Sequence, residues 1–414
     1  MNDRPRLHPG WCWILLALPI GLGAQDWPQW RGPTRDGKVS GLERRTHWAG
    51  ALDLKWRKPI GLGEATPALV GGRLFVFGRQ GQEEVAQCLL AASGETVWRH
   101  AYAAEAVTGA AEKYQGPRSS PAVARGKVLI LGVGGVITCL AADTGSVLWR
   151  NDRFRQPLPL FFTAMSPLVA ENRCVAHLGG QGEGVVAAFN LATGNLDWEW
   201  RGDGPSYSSP SLMTVMDTTQ VVVHTEKGLV GLSFTNGQCL WSLPTPAKPG
   251  YWSSVSPVVD GDRLFVTGQG MGTRAVQIVK QGDAWAVQEL WRNEQLGTVY
   301  NTPVVKEGSL YALSDRGQLF CLDAATGQKA WHDTNRVSNF GSLVDLGSVL
   351  AVVPEKSGLI LFQPGRERFK PVARHALSEL PIYAFPIFSG PSLYVRDAET
   401  VARFEWAPDP GNKN

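Results

Sequence analysis

Aromatic and charged side chains recur in this chain near one position, three residues before the proline of a Ser/Thr-Pro pair or its equivalent. In chain order, the residues at or beside this position are Glu64, Arg118, Tyr207, Trp252, Tyr300, Asn339 and Tyr383. A binding mouth needs aromatic surfaces with a few convergent polar groups. The pattern therefore predicts a ligand-binding rim, with two alternatives left open. These residues could simply pack the loops, and Glu64 and Arg118 could pair with each other.

Catalytic and metal-binding motifs are incomplete in the sequence. His177 and His224 fall at the same position of two consecutive repeats. Equivalent positions of stacked sheets lie about 10 Å apart, whereas zinc ligands lie about 2 Å from the metal. The segment 32–39 has the glycine and lysine spacing of a phosphate loop, but it ends in Val39 instead of Ser or Thr. We therefore predict no catalytic residue and no metal site.

The residues described above are carried by an internal repeat of roughly 40 to 50 residues. One recurring segment places a turn glycine four residues before a tryptophan, in the pairs Gly94/Trp98, Gly145/Trp149, Gly194/Trp198, Gly237/Trp241 and Gly327/Trp331. A second segment opens an apolar run, starting at Thr66, Ser120, Ser166, Ser209, Ser256, Thr302, Gly341 and Phe385. Eight repeat units follow from this spacing.

Each unit is typical of a four-stranded antiparallel meander. Short apolar runs are separated by tight turns such as Gly71-Gly72 and Asp260-Gly261, where glycine accepts a positive φ. Near-continuous apolar strands need cover on both faces, as in radially stacked sheets. The sequence predicts an all-β, eight-bladed β-propeller over residues 51–408, with the tryptophans between blades. The segment 52–60 should complete the last blade and close the ring.

The chain ends carry separate predictions. Arg4 and Arg6 precede an apolar stretch at residues 11–24, which is typical of a secretory signal peptide cleaved after Ala24. An uncleaved anchor is the alternative. We expect an N-terminal arm over 25–50 and a disordered tail over 409–414. Trp27, Trp30 and Arg31 favour docking of the arm over a free arm in solution, either on the ring or on a partner. The exported protein would be periplasmic or extracellular.

Composition narrows the partners further. The formal charge of +3 is close to neutral for this length and disfavours nucleic acid. No later stretch is long and apolar enough to span a membrane. Three of the five later cysteines share one repeat position, beyond disulfide reach of about 7 Å, so we expect no bridge. We expect a monomer, with a short helix at most in the insertion 101–116.

The repeats, with their Thr-Gly turns, tryptophans and Ser/Thr-Pro strands, resemble the PQQ-like (quinoprotein alcohol dehydrogenase-like) propeller superfamily. That superfamily includes quinone-dependent dehydrogenases and the non-catalytic outer-membrane assembly lipoprotein BamB. The segment DWPQWRGPTRDG at 26–37, with YQGPRSSPAV and TEKGLVGL, is similar to exported bacterial PQQ-like repeat proteins of uncharacterised role. The resemblance spans essentially the whole mature chain and implies its fold more strongly than its activity.

The dehydrogenase branch of the resemblance implies a quinone held between a tryptophan and a vicinal disulfide, with Ca²⁺ bound by carboxylates. No two cysteines are adjacent here. Carboxylates do follow the second strand in four blades, at Glu226, Asp315, Glu355 and Asp397, where solvated hairpin loops would also place them. We therefore expect no cofactor, and PQQ with Ca²⁺ only under the enzymatic alternative.

Three functions remain open from the sequence. The leading hypothesis is a non-enzymatic, BamB-like scaffold that binds an envelope or extracellular protein, or a small ligand, at one mouth of the ring. The second is a PQQ-dependent alcohol or sugar dehydrogenase, in which Trp252 or another rim aromatic stacks on a planar ring. The third is a carbohydrate-binding propeller, because aromatic rims also stack on sugar faces.

Overall fold

The computed structural model describes residues 25–42, 45, 47–245, 254–356 and 358–407. The predicted signal peptide at 1–24, the rim residue Trp252 and the predicted tail at 409–414 lie outside these residues. The described chain forms eight four-stranded antiparallel sheets arranged as the blades of a propeller. This confirms the predicted all-β, eight-bladed fold.

The first strand, β1 (Leu52–Pro59), belongs to the last blade. Blades 1 to 4 follow in chain order, each running from the channel outwards. Blade 1 comprises β2 (Ala68–Val70), β3 (Arg73–Gln80), β4 (Glu83–Leu90) and β5 (Thr96–Ala103). Blade 2 comprises β6 (Ala122–Ala124), β7 (Lys127–Leu131), β8 (Ile137–Ala141) and β9 (Val147–Asn151). Blade 3 comprises β10 (Leu168–Ala170), β11 (Arg173–Gly180), β12 (Glu183–Asn190) and β13 (Leu196–Gly202). Blade 4 comprises β14 (Ser211–Val215), β15 (Thr218–His224), β16 (Gly228–Ser233) and β17 (Cys239–Pro244).

Blades 5 to 8 have the same order of strands. Blade 5 comprises β18 (Val258–Asp260), β19 (Arg263–Gly268), β20 (Gly272–Gln281) and β21 (Ala284–Asn293). Blade 6 comprises β22 (Val304–Lys306), β23 (Ser309–Leu313), β24 (Gln318–Asp323) and β25 (Lys329–Arg336). Blade 7 comprises β26 (Gly341–Asp345), β27 (Leu350–Pro354), β28 (Gly358–Gln363) and β29 (Lys370–Ala376). Blade 8 comprises β30 (Ile387–Ser389), β31 (Ser392–Arg396) and β32 (Thr400–Trp406), with β1 outermost.

Ring closure joins the two ends of the propeller sequence in one sheet. Strand β1 pairs antiparallel with β32, from Leu52 opposite Trp406 to Pro59 opposite Thr400. Without β1, the last blade would lack its outermost strand and expose the edge of β32. An exposed edge strand is a template for unwanted pairing, so closure removes that liability. The prediction that segment 52–60 completes the last blade is confirmed.

Tryptophans on the outer strands join six of the eight blades to the next blade, in agreement with the predicted place of the tryptophans between blades. Six of them donate an indole N–H to a carbonyl in the outer turn of the following blade, at Nε1–O distances between 2.8 and 3.2 Å: Trp56 to Ala91, Trp98 to Ala142, Trp149 to Leu191, Trp198 to Phe234, Trp291 to Ala324 and Trp331 to Gly365. A Cβ added at Gly145 would lie 2.5 Å from the Trp98 ring. The repeated turn glycine is therefore required by the indole above it.

The Ser/Thr-Pro pairs form a second seam around the channel. In six successive steps a backbone N–H at the start of one inner strand donates to the hydroxyl of the next blade, at 2.8 to 3.2 Å: Phe385 to Thr66, Thr66 to Ser120, Ser120 to Ser166, Ser166 to Ser209, Ser209 to Ser256 and Ser256 to Thr302. Blade 7 has Gly341 at this position and no hydroxyl to continue the series. We call this series the hydroxyl ring.

Helical structure is almost absent from the described chain. The insertion at 101–116 forms a single 3₁₀ turn, Gly109–Ala111, in place of the short helix considered from its composition. Among the residues that the structure places, no helix has both the length and the apolar character needed to cross a membrane. The five described cysteines all have free thiols, and four of them are buried.

Candidate functional site

The channel has two mouths that differ in what surrounds them. Because strands alternate in direction within each meander, the loops before the inner strands and the hairpins after the second strands share one end of the ring. We call this end the loop mouth. The first hairpins, such as Gly71-Gly72, and the Thr-Gly turns share the opposite end, which we call the hairpin mouth.

The N-terminal arm enters the channel from the hairpin mouth. At the mouth itself, Asp26 accepts a hydrogen bond from the Gly71 N–H at 3.0 Å. One residue further in, Trp27 pairs through its backbone with Leu69 of the inner strand, at N–O distances of 2.6 and 2.9 Å. The indole of Trp27 is fully buried and stacks on Phe385 at 5.9 Å. The arm therefore docks inside the ring, as its tryptophans suggest.

The deepest part of the arm lies at the level of the hydroxyl ring. Arg31 donates from Nη1 to the Thr302 carbonyl at 3.0 Å and from Nη2 to the Pro303 carbonyl at 2.9 Å. On the other side of the channel, Arg35 donates to the Pro167 carbonyl at 2.9 Å. Both guanidinium groups are buried, and this desolvation lowers the pKa of Arg31 to about 10 and that of Arg35 to about 9.

The arm then turns back towards the hairpin mouth. Val39 donates its N–H to the Asp345 carbonyl at 2.9 Å, and the Asp345 N–H donates to the Gly37 carbonyl at 2.9 Å. These contacts join the returning arm to the end of the inner strand of blade 7. The arm thus goes in and out through the same end. The hairpin mouth is occupied by the arm, and the described residues of the arm do not cover the loop mouth.

Four aromatic rings form a continuous arc at the loop mouth. Tyr300 stacks on Phe340 at 4.1 Å, Phe340 meets Tyr383 edge-on at 5.2 Å, and Tyr383 meets Tyr114 edge-on at 6.0 Å. We call these four residues the aromatic crescent. The Tyr383 hydroxyl donates to Glu355 at 2.8 Å; burial and this hydrogen bond raise the pKa of Tyr383. The Tyr300 side chain remains 49% exposed and is the part of the crescent most available to a partner.

A polar sector continues from the aromatic crescent around the loop mouth. Arg118 donates to the carbonyl of Tyr114 at 3.3 Å and to that of Phe161. The Tyr207 hydroxyl in turn accepts the Phe161 N–H at 3.1 Å, and the two rings meet edge-on at 5.7 Å. Arg118 and Tyr207 are therefore committed to holding the loops in place. These two side chains fix the shape of the loop mouth.

Glu64 is a buried carboxyl at the loop mouth. Its Oε2 is shielded from solvent and has no hydrogen-bond partner among the residues placed by the structure. Burial raises the pKa of Glu64 to about 7, although the nearby charges of Arg396 and Arg118 oppose the rise. Among the described residues, Glu64 and Arg118 form no ion pair, because Arg118 donates to the carbonyls of Tyr114 and Phe161 instead. Glu64 can therefore exchange a proton near neutral pH.

The rim residues predicted from the sequence fall into three groups. Tyr300 and Tyr383 belong to the aromatic crescent, whereas Glu64, Arg118 and Tyr207 form the polar sector. Asn339 points elsewhere: its Oδ1 accepts a hydrogen bond from Arg336 at 3.0 Å, and the adjacent Phe340 supplies the ring that faces the mouth. Trp252 belongs to segment 246–253, outside the described residues, in the loop that leads to blade 5.

Residues of the arm and of the first insertion complete the mouth, and the repeat did not reveal them. Trp30 and Arg31 form the floor of a small cavity of about 90 Å³ beside Tyr300, Phe340 and Tyr383. Tyr114, from the insertion between the first two blades, ends the crescent. These residues lie outside the repeat, so the only signal for them was the concentration of tryptophan and arginine in the arm.

The histidines that share a repeat position are held separately in their blades. His177 Nε2 lies 3.0 Å from the Asp203 carbonyl, and His224 Nδ1 lies 3.3 Å from the Val255 carbonyl. Burial lowers the pKa of both imidazoles to about 4. Within the described ranges, no three His, Cys, Asp or Glu side chains are grouped as ligands for a metal ion.

Three of the four carboxylates considered as calcium ligands bind neighbouring protein groups instead. Glu226 accepts the Gly182 N–H at 2.7 Å, Glu355 accepts the Tyr383 hydroxyl, and Asp397 pairs with Arg57 at 2.8 Å. They stay in separate blades. No shared set of oxygen ligands, of the six to eight that Ca²⁺ takes, is assembled by the described residues.

A quinone with its calcium ion does not fit the described mouth. Ligand pockets usually enclose roughly 300 to 1,000 Å³, whereas the cavity at the crescent measures about 90 Å³. Its floor is made by Trp30 and by Arg31, whose donors are already bound to backbone carbonyls. The arm fills the space into which a planar cofactor would otherwise sink. The residues that the structure describes do not provide the site that the dehydrogenase branch requires.

Comparison with known proteins agrees with the fold and identifies the family. The family described as outer membrane protein assembly factor BamB matches this chain over residues 35–180 and 81–333. BamB of Yersinia pestis is 28% identical over 236 residues, which cover 53% of this chain and 56% of that protein. The match thus spans little more than half the length of that relative.

Solved structures share the architecture at low sequence identity. BamB from Moraxella catarrhalis superposes with a TM-score of 0.64 at 12% identity, covering 88% of this chain and 99% of that one. A europium-containing methanol dehydrogenase superposes with a TM-score of 0.71 at 13% identity, covering 93% and 98% respectively. These two likenesses concern the fold alone, and the family match covers more than half of the sequence. This chain therefore belongs to the family of the outer membrane protein assembly factor BamB.

Proposed function

We propose that this protein is an exported, non-enzymatic scaffold that binds an envelope protein through the loop mouth. The observation that carries the proposal is the difference between the two ends of the channel. The hairpin mouth is filled by the arm, and the loop mouth presents the aromatic crescent. Family membership supports a partner within the outer-membrane assembly machinery, and the apolar N-terminal stretch at 11–24 supports export.

Exposed apolar side chains at the loop mouth support a protein partner in particular. Four large ones are exposed in the loops before the inner strands: Leu62, Leu160, Tyr300 and Leu380. Tyrosine anchors surrounded by apolar and polar groups are typical of the energetic centres of protein interfaces. The cavity of about 90 Å³ is small for an enclosed ligand, so a partner that covers the mouth fits better than one buried in it.

A matched pair of substitutions tests this proposal. Leu160, in a loop of the loop mouth, is 46% exposed, and Leu148, on the outer strand of blade 2, is 47% exposed. In cells that produce tagged protein, brief cross-linking should capture outer-membrane assembly proteins with the wild type and with Leu148→Asp. Leu160→Asp should reduce that capture about tenfold, as expected for an interface residue near its centre. Equal capture by both variants would overturn the assignment of the mouth.

The dehydrogenase alternative is tested separately by titrating the purified protein with PQQ, with and without Ca²⁺. A scaffold should show no change in melting temperature or in quinone absorbance. Saturable binding that depends on Ca²⁺, with a clear rise in melting temperature, would contradict the scaffold proposal. It would also justify a screen of alcohols and sugars as substrates.

A further inference from the structure

A spacious cavity of the described chain opens on the side of the ring, outside the channel, and reaches the hairpin after β27 at the loop-mouth end. It is a groove of about 810 Å³ between the outer strands of blades 6 and 7. One wall is residues 331–337 at the end of β25, and the other includes Lys356, Arg368 and Arg374 of blade 7. We call it the blade 6–7 groove. Blade 7 departs from the repeat here: its outer strand lacks the tryptophan found in the other blades.

Positive charge is concentrated in this groove. Arg336, Lys356, Arg368 and Arg374 line it, and Asp333 is the single carboxylate among its lining residues. The formal charge of the groove is thus +3, equal to that of the whole chain. Concave surfaces lined by one sign of charge focus the electrostatic field and attract ligands of the opposite sign.

The cations of the groove are left available for a ligand. Lys356, Arg368 and Arg374 are exposed and make no hydrogen bond or ion pair with any residue that the structure places. Arg336 donates to Asn339 at 3.0 Å, which leaves its charge without a carboxylate. Asp333 accepts hydrogen bonds from the backbone N–H and the amide of Asn335, at 3.2 and 3.0 Å. An anion could therefore bind these cations without displacing a carboxylate.

The edge of β25 runs along the groove. Successive residues of a strand point to opposite faces, so one face of a strand shows only alternate residues. Here seven consecutive residues, 331–337, line a single cavity, which places the strand edge against it. Strand β25 pairs only with β24 in its sheet and is outermost in its blade. An unpaired strand edge offers backbone donors and acceptors to another extended chain.

We propose that the blade 6–7 groove binds an extended acidic segment of a partner protein. The cations of blade 7 and Arg336 recognise its carboxylates, and the edge of β25 meets its backbone. A concave cleft between two blades admits an extended chain, whereas the flat surface of a membrane cannot enter it. The groove shares no lining residue with the aromatic crescent, so its binding is measured separately from that of the loop mouth.

Fluorescence anisotropy with the full mature protein tests the proposal. The probe is a labelled peptide of about ten residues, the length of a long strand, in which Glu alternates with Thr and Val. Its control carries Lys in place of each Glu. We expect saturable binding of the acidic peptide only, weakened as salt rises from about 50 to about 300 mM. Binding of neither peptide, or of both equally, would overturn the proposal.

Paired variants locate the binding. Arg368→Gln with Arg374→Gln should weaken binding of the acidic peptide about tenfold, as the loss of two charge contacts implies. Arg153→Gln with Arg201→Gln removes the same charge from exposed arginines near blade 3 and should leave binding unchanged. Equal weakening by both pairs would show a general effect of net charge and would refute the groove as the binding site. Melting temperatures within about 2 °C of wild type establish that each pair is folded.

A membrane is distinguished in the same series by co-sedimentation with phosphatidylglycerol vesicles. If the groove is a protein site, the blade 7 pair should sediment with vesicles to the same extent as wild type. Loss of vesicle binding in that pair, with peptide binding unchanged, would assign the groove to anionic lipid and contradict the proposal.

Discussion

The two mouths of the channel use similar residue types for opposite purposes. In the arm that enters through the hairpin mouth, Trp27 is fully buried and Arg31 donates to backbone carbonyls of blade 6. At the loop mouth, Tyr300 is half exposed and stacks on Phe340 at its side. The first set of residues is buried by the rest of the chain, and the second keeps exposed surface. Aromatic and cationic residues therefore indicate a binding site only when their surroundings leave them exposed.

This difference separates stability from binding. Substitutions in the arm should lower the free energy of unfolding, because they leave cavities or unpaired carbonyls in the channel. Substitutions in the exposed part of the loop mouth should leave stability almost unchanged and act on a partner. The predictions below run from the largest expected effect on stability to the smallest.

Trp27→Ala should be the most damaging single substitution of the two mouths. It removes a fully buried indole from between Leu69 and Phe385 and should lower the free energy of unfolding by about 4 kcal/mol. Chemical denaturation measures this loss. The control is Trp285→Ala on the outer hairpin of blade 5, where a half-buried indole should cost about 1 kcal/mol. Similar losses for the two would show that the arm does not stabilise the ring.

Arg31→Lys should lower the free energy of unfolding by about 2 to 3 kcal/mol, although it preserves the charge. An ammonium group cannot reproduce the fork that reaches the Thr302 and Pro303 carbonyls together. Arg125→Lys, on an exposed hairpin of blade 2, should change it by about 0.5 kcal/mol or less. If Arg31→Lys were equally mild, its hydrogen bonds would not be what anchors the arm.

Each hydroxyl of the hydroxyl ring should contribute less to the free energy of unfolding than Trp27 or Arg31 does. Ser209→Ala leaves the buried Ser166 N–H without its acceptor and should cost about 1 to 2 kcal/mol. The matched control is Ser242→Ala, on the exposed face of the outer strand of blade 4, with an expected change of about 0.5 kcal/mol or less. Denaturation of the two variants side by side decides whether the repeated hydroxyl is structural.

Glu64 should make stability depend on pH at the loop mouth. Its pKa is raised from 4.5 to about 7 in the folded protein, so the folded state holds this proton more tightly than the unfolded state. The stability that Glu64 contributes is therefore present below pH 4.5 and is lost as pH rises towards 7.

Glu64→Gln isolates this effect from other titrating groups. The wild type should lose melting temperature relative to Glu64→Gln as pH rises from 4.5 to 7, with no further change above that. A constant difference between wild type and Glu64→Gln across the range would contradict a raised pKa.

The repeat made most of the fold predictable, and its breaks mark what was not. Gly145 and Trp149 recur in register with their counterparts, so local sequence indicated the blades, the turns and the contacts between blades. The arm has no repeat, and its key contacts join residues far apart in the chain: Arg31 binds Thr302 across 271 positions. Sequence spacing carries no information about such a distant contact.

The rim shows the same limit at the scale of one residue. Counting back from the Ser/Thr-Pro pairs located Tyr300 and Tyr383 in the aromatic crescent. In blade 7 no proline fixes the count, and the ring that faces the mouth belongs to Phe340 while Asn339 binds Arg336. Tyr114 could not be found by counting, because it comes from an insertion.

Site-specific photo-cross-linking tests the central claim most directly, that the open loop mouth is the face that binds a partner. A photoreactive amino acid would replace Tyr300 at the loop mouth or, in a separate strain, Asn172 in an exposed hairpin at the hairpin mouth. After irradiation of cells, the account predicts a discrete adduct with an outer-membrane assembly protein from position 300 and none from position 172. An adduct from position 172 alone, or from neither position, would contradict it.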